Sequence, residues 1–525
     1  MKVKSGMIDY NIVSTDDGSY YFVERRTNTL GQPNSDGESL SYINISKSDN
    51  SYNEKWSKEY FLALAKYDVF AVKPFKNEVL LFLSEYNERT KSYTIDMTRL
   101  NENGGIPKEK MFVRLADFPR GERKENYFKV KLAESKHGPI LISDLSGKKS
   151  ISYAFTQLSP DFKTISSTII KRNGLPSNFK VEDVKIHLNH LVVLGKEYEA
   201  RLNVEGKKRN VFQRYVLSIY NIDGQYQGDV PLDKTGKITT AKLADIGDKI
   251  LFAGLYNNYT MREVPDGITT AVVDVLAKQF VTADDKKIES GIFANAYLGE
   301  KDTSELFKKL PLLSLQNRRR FSNTESRIEI RTIDVNPKNN TFIIAAEVIQ
   351  VDEYDEHVYG NSAFGLAGIA IKSGEILKVY EVKTKDLLLI HADSEAKINW
   401  IKVVPKNQQE TFIYAIPEAT SYSSFKASYR NNRYDLIYND SKANLMFDLQ
   451  KPVHVIWDFK KEAALFSLSI DPSTGEISKS LLTATSNEEA ILMPLKAIAY
   501  GPSFIVPARA IKVIGKDIYK IAAVR

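Results

Sequence analysis

Apolar and polar residues alternate with a period of two through most of the chain, in short runs bounded by Gly, Asn, Asp and Pro. That period marks half-buried β-strands, whose successive side chains point to opposite faces. Ile8–Val13 is one such run, Thr15–Gly18 supplies a turn, and Ser19–Val23 is a second strand, so the chain opens on a hairpin. Ser39–Ile45 alternates again. From there one phrase recurs: an apolar strand, a short polar turn, and a second apolar strand that often ends in small residues. It reads Val69–Val72 then Val79–Leu83, Val184–Leu188 then Leu191–Gly195, and Ala241–Asp245 then Ile250–Gly254. Further copies are Thr332–Val335 with Phe342–Ala346, Trp400–Val404 with Thr411–Ala415, and Leu495–Ala499 with Phe504–Val506. A second phrase follows several copies, a strand, a glycine turn and a strand, as in Leu217–Tyr226, Gly368–Ile376 and Phe466–Ile477. Glycine suits the positive φ that a tight hairpin requires.

Together the two phrases describe a four-stranded antiparallel unit, more apolar in its first pair and more polar toward its rim. Units fall near 67–100, 127–170, 181–231, 240–282, 330–381 and 398–480, with an incomplete one at 493–525 and unassigned strands at 8–46. The spacing predicts an all-β fold: a single β-propeller over 1–525, of about seven four-stranded blades, the last closed by the N-terminal strands. Closure of that kind removes exposed sheet edges. The alternative, a string of separate β-sandwiches, calls for linkers, and no Pro/Gly/Ser-rich linker interrupts the units.

Helix signals are few. Asp302–Glu305 reads as a capping box before Leu306, Phe307 and Leu310, with Pro311 as a stop, which predicts a small helical insertion at 290–324. Ser51–Ala65 is a second helical candidate, and Lys108–Glu125 reads as a polar connection.

Composition narrows the chemistry by subtraction. The 525 residues include no cysteine and only 6 His, against 28 Tyr and 25 Phe. Disulfides, thiolate metal sites and cysteine nucleophiles are therefore excluded. The formal net charge of +7 is spread through a mixture of both signs, the pattern of a solvated surface, so no nucleic-acid partner is expected. No apolar run reaches the ~20 residues of a membrane span. The opening residues Met1–Gly6 have no apolar signal-peptide core.

Phosphate-binding loops, G-x-S-x-G and H-E-x-x-H are all absent. Three polar clusters remain. Val351–Gly360 is the richest in carboxylates, and Asp352, Asp355 and Glu356 are its candidate ligands for calcium, a hard cation that prefers oxygen. EF-hand spacing is missing there, and a solvated hairpin tip between Ile349 and Phe364 is the plainer reading. No other cofactor is expected. Arg318, Arg319, Arg320 and Phe321 form the sharpest basic run, a candidate contact for an acidic protein surface. Gly206–Asn210 is a similar short run. Tyr422, Phe425, Tyr429, Arg430, Arg433 and Tyr434 form the best aromatic feature, whose mixture with Ser and Asn suits an adaptable protein-binding surface or stacking on sugars. An ordinary hairpin connection is its plainer reading. His187 and His190 are expected to flank a tight turn, while His137, His391 and His454 are isolated.

The blade phrases, such as Val184–Gly195 with Leu217–Tyr226, resemble the divergent β-propellers of envelope and secreted proteins of Bacteroidetes-type bacteria. High Lys, Asn, Tyr and Ile without Cys adds to the likeness, which covers about residues 8–525. It rests on no family motif: neither a repeated W-D dipeptide nor a recurring Gly-Gly pair is present. The resemblance implies a periplasmic or cell-envelope setting, the cytoplasm being the alternative. Some propellers of this kind are subunits of outer-membrane secretion or uptake assemblies, which implies a protein partner, an outer-membrane protein among the candidates. The expectation is then a non-enzymatic interaction scaffold, plug-like or accessory, binding through loops on one ring face. The rival is a glycan-binding or glycan-processing propeller with carboxylates around its central channel. Two or more Asp or Glu converging in one pocket beside an aromatic platform distinguish that rival. A calcium-stabilised sensor is the third reading.

Overall fold

The computed structural model describes residues 7–524 except 28–41, 52, 61–66, 88–91, 109–110, 120–129, 134–137, 147–149, 203–207, 233–235, 258–264, 290–322, 358–375, 414–421, 431, 446–452, 485–489, 501–502 and 511–517. Eight antiparallel sheets follow one another along the chain. The first holds β1 (Met7–Ser14), β2 (Tyr20–Thr27), β3 (Tyr42–Ser48) and β4 (Glu54–Glu59); the second β5 (Asp68–Phe75), β6 (Glu78–Asn87), β7 (Ser92–Leu100) and β8 (Val113–Pro119). The third holds β9 (Val130–Ala133), β10 (Ile140–Asp144), β11 (Ser150–Leu158) and β12 (Thr164–Asn173); the fourth β13 (Phe179–His187), β14 (His190–Leu202), β15 (Lys208–Asn221) and β16 (Tyr226–Val230). The fifth holds β17 (Lys237–Ile246), β18 (Lys249–Asn257), β19 (Gly267–Asp274) and β20 (Gln279–Lys287). In the sixth, β21 (Asn323–Val335) and β22 (Phe342–His357) precede the long β23 (Ile376–Ala392), along whose far edge β24 (Ile398–Val404) and β25 (Gln408–Ile413) both pair. The seventh holds β26 (Phe425–Arg430), β27 (Arg433–Ser441), β28 (Ala463–Ile470) and β29 (Ile477–Ala484). In the eighth, β30 (Ile491–Leu492) and β31 (Ile498–Tyr500) share one edge of β32 (Ser503–Ala510), and β33 (Ile518–Val524) takes the other.

The hydrophobic core shows how these sheets are arranged. Each main apolar cluster is built from two consecutive sheets, for example Leu251 and Ile268 of the fifth with Phe342 and Ile390 of the sixth. One further cluster joins the ends, packing Ile12, Tyr20 and Phe22 of the first sheet on Met493 and Ile505 of the eighth. Eight twisted sheets packed face to face in cyclic order make a closed propeller of eight blades.

The expected blade count and closure are therefore corrected. The N-terminal strands complete no other blade; they form one of their own, because Glu54–Glu59, read as helical, is its fourth strand. The last blade supplies its own inner edge, broken by the turn at Pro494–Lys496. Among the described residues, ring closure rests on side-chain packing in place of strand pairing. The stretch 398–480 divides between two blades, and Val113–Pro119 is a strand inside the expected connection. The expected helical insertion lies outside the described residues up to 322. No helix among the described residues is long and apolar enough to cross a membrane.

The first strand of each blade lies toward the middle of the ring, where β13 meets β17, β17 meets β21, and β21 meets β26. Inner strands β5, β13 and β17 each carry a bulge early in their length, and β21 carries one in its second half, at Ile330–Thr332. Bulges raise local twist, which suits strands that must fan around an axis. Inner edges have unpaired N–H groups, and neighbouring blades satisfy some of them. Asp183 Oδ2 accepts from Leu243 N at 3.2 Å, and Thr240 Oγ1 accepts from Ile330 N at 3.2 Å. The small residue that closes the apolar run inside the second strand also has a cause. A β-carbon on Gly195 would lie 2.3 Å from the Phe179 ring, so the aromatic side chain occupies that space.

Candidate channel site

The two faces of each blade pack on its neighbours, so the inner strands present their edge to the middle of the ring and consecutive residues of one strand reach it. Residues of β13, β17, β21 and β26, from four consecutive blades, line a cavity of about 520 Å³ there. Its polar wall is Lys185, Asp245, Asp334, Ser428 and Tyr429, and Leu243, Ile333 and Val335 are among its apolar residues.

The two aspartates have different surroundings. Asp245 faces the buried ammonium of Lys185, with Nζ and Oδ2 3.7 Å apart. Asp334 takes hydrogen bonds instead: the fully buried Tyr434 hydroxyl donates to Oδ2 at 2.6 Å and the Thr332 hydroxyl to Oδ1 at 3.0 Å. Burial pushes the Asp334 carboxyl above the ordinary aspartate range, outweighing those bonds and the charges of Lys426 and Lys242. Such an environment leaves a carboxyl able to hold a proton where an ordinary aspartate would have lost it.

Further charged groups of the inner strands lie buried near this pair. Burial pushes Asp183 up, against the pull of Lys185 and Lys242. It pushes Lys242 down, and that ammonium donates to the Arg331 carbonyl at 2.6 Å. Lys426, next on the β26 face that carries Ser428, is also pushed down by burial, with Asp334 opposing and Lys73 of β5 reinforcing. Tyr429 lies against Tyr434, ring centroids 5.2 Å apart, and is among the residues that line the cavity.

Sequence reasoning reached one side of this site. The run from Tyr422 to Tyr434 is no long connection; it is the inner hairpin β26–β27 and its approach. Phe425 and Tyr434 are core residues, because alternation turns them between blades, and they have almost no surface to offer a partner. Tyr429 does line the cavity. Arg430 stacks 3.9 Å from the centroid of the Phe504 ring and pairs with Asp435, Arg433 bonds to Ser469, and Tyr422 packs on Phe459. Arg318, Arg319, Arg320 and Phe321 lie outside the described residues. The residues that were missed, Lys185, Asp245, Asp334 and Lys426, sit inside or beside strand phrases that served only as marks of the fold. Their signal was a charged residue recurring within otherwise apolar inner strands.

The carboxylate cluster at 351–357 is likewise strand within β22 and not a hairpin tip: it pairs with β23 throughout, and with β21 as far as Glu353. Asp352 is buried, pairs with Lys383 Nζ at 2.8 Å and accepts from Gln350 Nε2. Asp355, three residues on, is exposed and turned to the opposite face, and Glu356 stands in register with Leu377. Among the described residues no three His, Cys, Asp or Glu side chains gather as metal ligands. His187 and His190 close the β13–β14 turn, whose Leu188 and Asn189 have φ of 47° and 59°.

The chain matches no protein-family model. No curated protein matches it. Among solved structures, an apocarotenoid oxygenase of Synechocystis aligns at 11% identity and a TM-score of 0.29, over 76% of this chain and 95% of that one. A cobalt-substituted form of the same enzyme aligns at 11% and 0.29, over 76% and 92%. The catalytic domain of an α-L-arabinofuranosidase from Coprinopsis cinerea aligns at 12% and 0.25, over 50% and 88%. TM-scores of this size carry no activity from those proteins to this chain. These neighbours are enzymes by name, which runs against the expected non-enzymatic scaffold; that expectation is set aside, and no activity is carried from them to this chain.

Proposed function

We propose that the chain binds a glycan in the central channel and acts on it through Asp334 and Asp245. One observation carries this reading: two aspartates and Tyr429 line a single cavity of about 520 Å³ at the ring's middle. Sugars are recognised by hydroxyl-bonding polar groups together with an aromatic wall, and Ser428, Lys185 and Tyr429 supply those. Glycosidic cleavage needs one carboxyl that keeps its proton and one that carries charge. Asp334, raised by burial and held by Tyr434, fits the proton donor to the leaving oxygen. Asp245, facing Lys185, fits the charged partner.

The reading keeps the periplasmic or cell-envelope setting implied by the sequence resemblance, which cell fractionation checks. Its direct test is a panel of glycans and chromogenic glycosides with wild type, Asp334→Asn and Asp245→Asn. Turnover should fall at least 100-fold in each variant while binding survives. Binding and turnover absent throughout the panel would remove the proposal.

A further inference from the structure

We infer that Tyr434 is the positioning residue of this site: its hydroxyl, reaching across from the seventh blade, orients the Asp334 carboxyl in the cavity. The part that carboxyl plays in cleavage rests on the glycan reading above; the contact and its effect on Asp334 do not. Alternation along β27 turns Tyr434, Leu436 and Tyr438 to the face that packs on the sixth blade. Tyr434 has no exposed surface, so its hydroxyl needs a partner inside the protein. That partner is Oδ2 of Asp334 on β21, 2.6 Å away in the neighbouring blade. The Thr332 hydroxyl, two residues earlier on the same strand as Asp334, donates to Oδ1 at 3.0 Å. Both carboxyl oxygens are thereby tied, which fixes the carboxyl plane at the wall of the cavity that Asp334 lines.

The bond has a direction with a chemical consequence. Burial, the charge of Asp334 and the bond itself push the Tyr434 hydroxyl well above its ordinary range, so its proton stays on its own oxygen. Tyr434 is therefore the donor, and a donated hydrogen bond favours the charged carboxylate. Burial works the other way on Asp334 and outweighs it. The other groups acting on this carboxyl are Thr332, Lys426 of β26 and Lys242 of β17, and each of them also opposes burial. Tyr434 thus restrains how tightly Asp334 holds its proton. Tyr429 joins this contact to the ligand space. It stands opposite Tyr434 in the β26–β27 register, packs on its ring and lines the same cavity as Asp334.

Difference infrared spectroscopy of the full chain, with Asp334→Asn as the blank in each background, follows the Asp334 carboxyl through its titration. Tyr434→Phe keeps the ring and removes the hydroxyl, and the midpoint should move up by about one to two pH units. An unmoved or lowered midpoint overturns the inference. Should Tyr434→Phe not fold, a fluorinated tyrosine at position 434 reads the same contact, because its more acidic hydroxyl is the stronger donor. A midpoint below that of wild type then supports the inference, and any other overturns it. Turnover is read separately. On a glycoside that wild type cleaves, Tyr434→Phe should lower kcat about tenfold and leave KM within about twofold. The alkaline limb of the pH profile should rise together with the infrared midpoint. A fall in kcat with that limb unmoved is a merely structural loss and overturns the positioning role. If no glycoside is cleaved, the glycan reading fails, and the infrared midpoint still decides the Tyr434 contact.

Discussion

Asp386, on β23, is 2% exposed, and its Oδ2 has no hydrogen-bond partner among the described residues. Oδ1 accepts from the Lys406 backbone at 3.3 Å. Burial pushes this carboxyl up to about 6 from 3.8, against the weaker pull of Lys406 and Lys385. Nearby, the fully buried Lys406 ammonium is already held by Glu347 at 2.6 Å, so Asp386 has no close cation to itself. The sign of its pH effect follows. Between about pH 4 and 6 the folded chain keeps this proton and the unfolded chain has lost it. The group therefore favours folding at low pH, and that contribution disappears as pH rises through 6. Its size is roughly 3 kcal/mol at most. Asp386→Asn, neutral at every pH, should be more stable than wild type at pH 7.5, and the difference should close by pH 4. Urea midpoints at three pH values check this; a gap independent of pH would tell against it.

Gly195 on β14 shows why the hairpin phrase was readable as an element and opaque as packing. Its place after Leu191–Leu194 marks the end of the apolar run, although β14 continues to Leu202, and the turn before it is the one expected. The aromatic ring of Phe179 that fills its missing side chain belongs to the paired inner strand and is itself clamped by Arg172, 4.4 Å from the ring centroid. Gly195→Ala should therefore destabilise by about 1–3 kcal/mol, the range of overpacking in a rigid core. Adding Phe179→Leu should recover part of the loss. Thermal melts of the single and double variants measure it. Other elements were misread for local reasons. Glu54–Glu59 is a charged, exposed rim strand with no apolar alternation to show its period. β23 accepts two successive partners along one edge, which no local pattern announces.

At the scale of the molecule, the join between the eighth and first blades decides whether the ring stays shut. Met493 is fully buried there against Ile12, Tyr20, Phe22 and Ile505, and no strand of the first blade pairs with the eighth among the described residues. Met493→Ala should cost about 2–5 kcal/mol. It should also raise hydrogen exchange in Tyr20–Thr27 and Ser503–Ala510 before the opposite side of the ring responds. Hydrogen-exchange mass spectrometry distinguishes that from a uniform loss, which would mean closure is held elsewhere.

The sequence by itself determined the all-β class, the repeated four-stranded unit and the position of many hairpins. These depend on local quantities: a period of two, turn residues able to take positive φ, and small residues at fixed places. The tertiary structure alone decided that the blades number eight, that the N-terminal strands make a blade of their own, and that the ring closes by packing. It alone brought Lys185, Asp245, Asp334 and Ser428 to one cavity. Those residues come from different blades and share no local motif, so their meeting is a property of how the sheets fan around an axis. A strand pattern shows which face a side chain takes, and only the closed ring shows what stands opposite it.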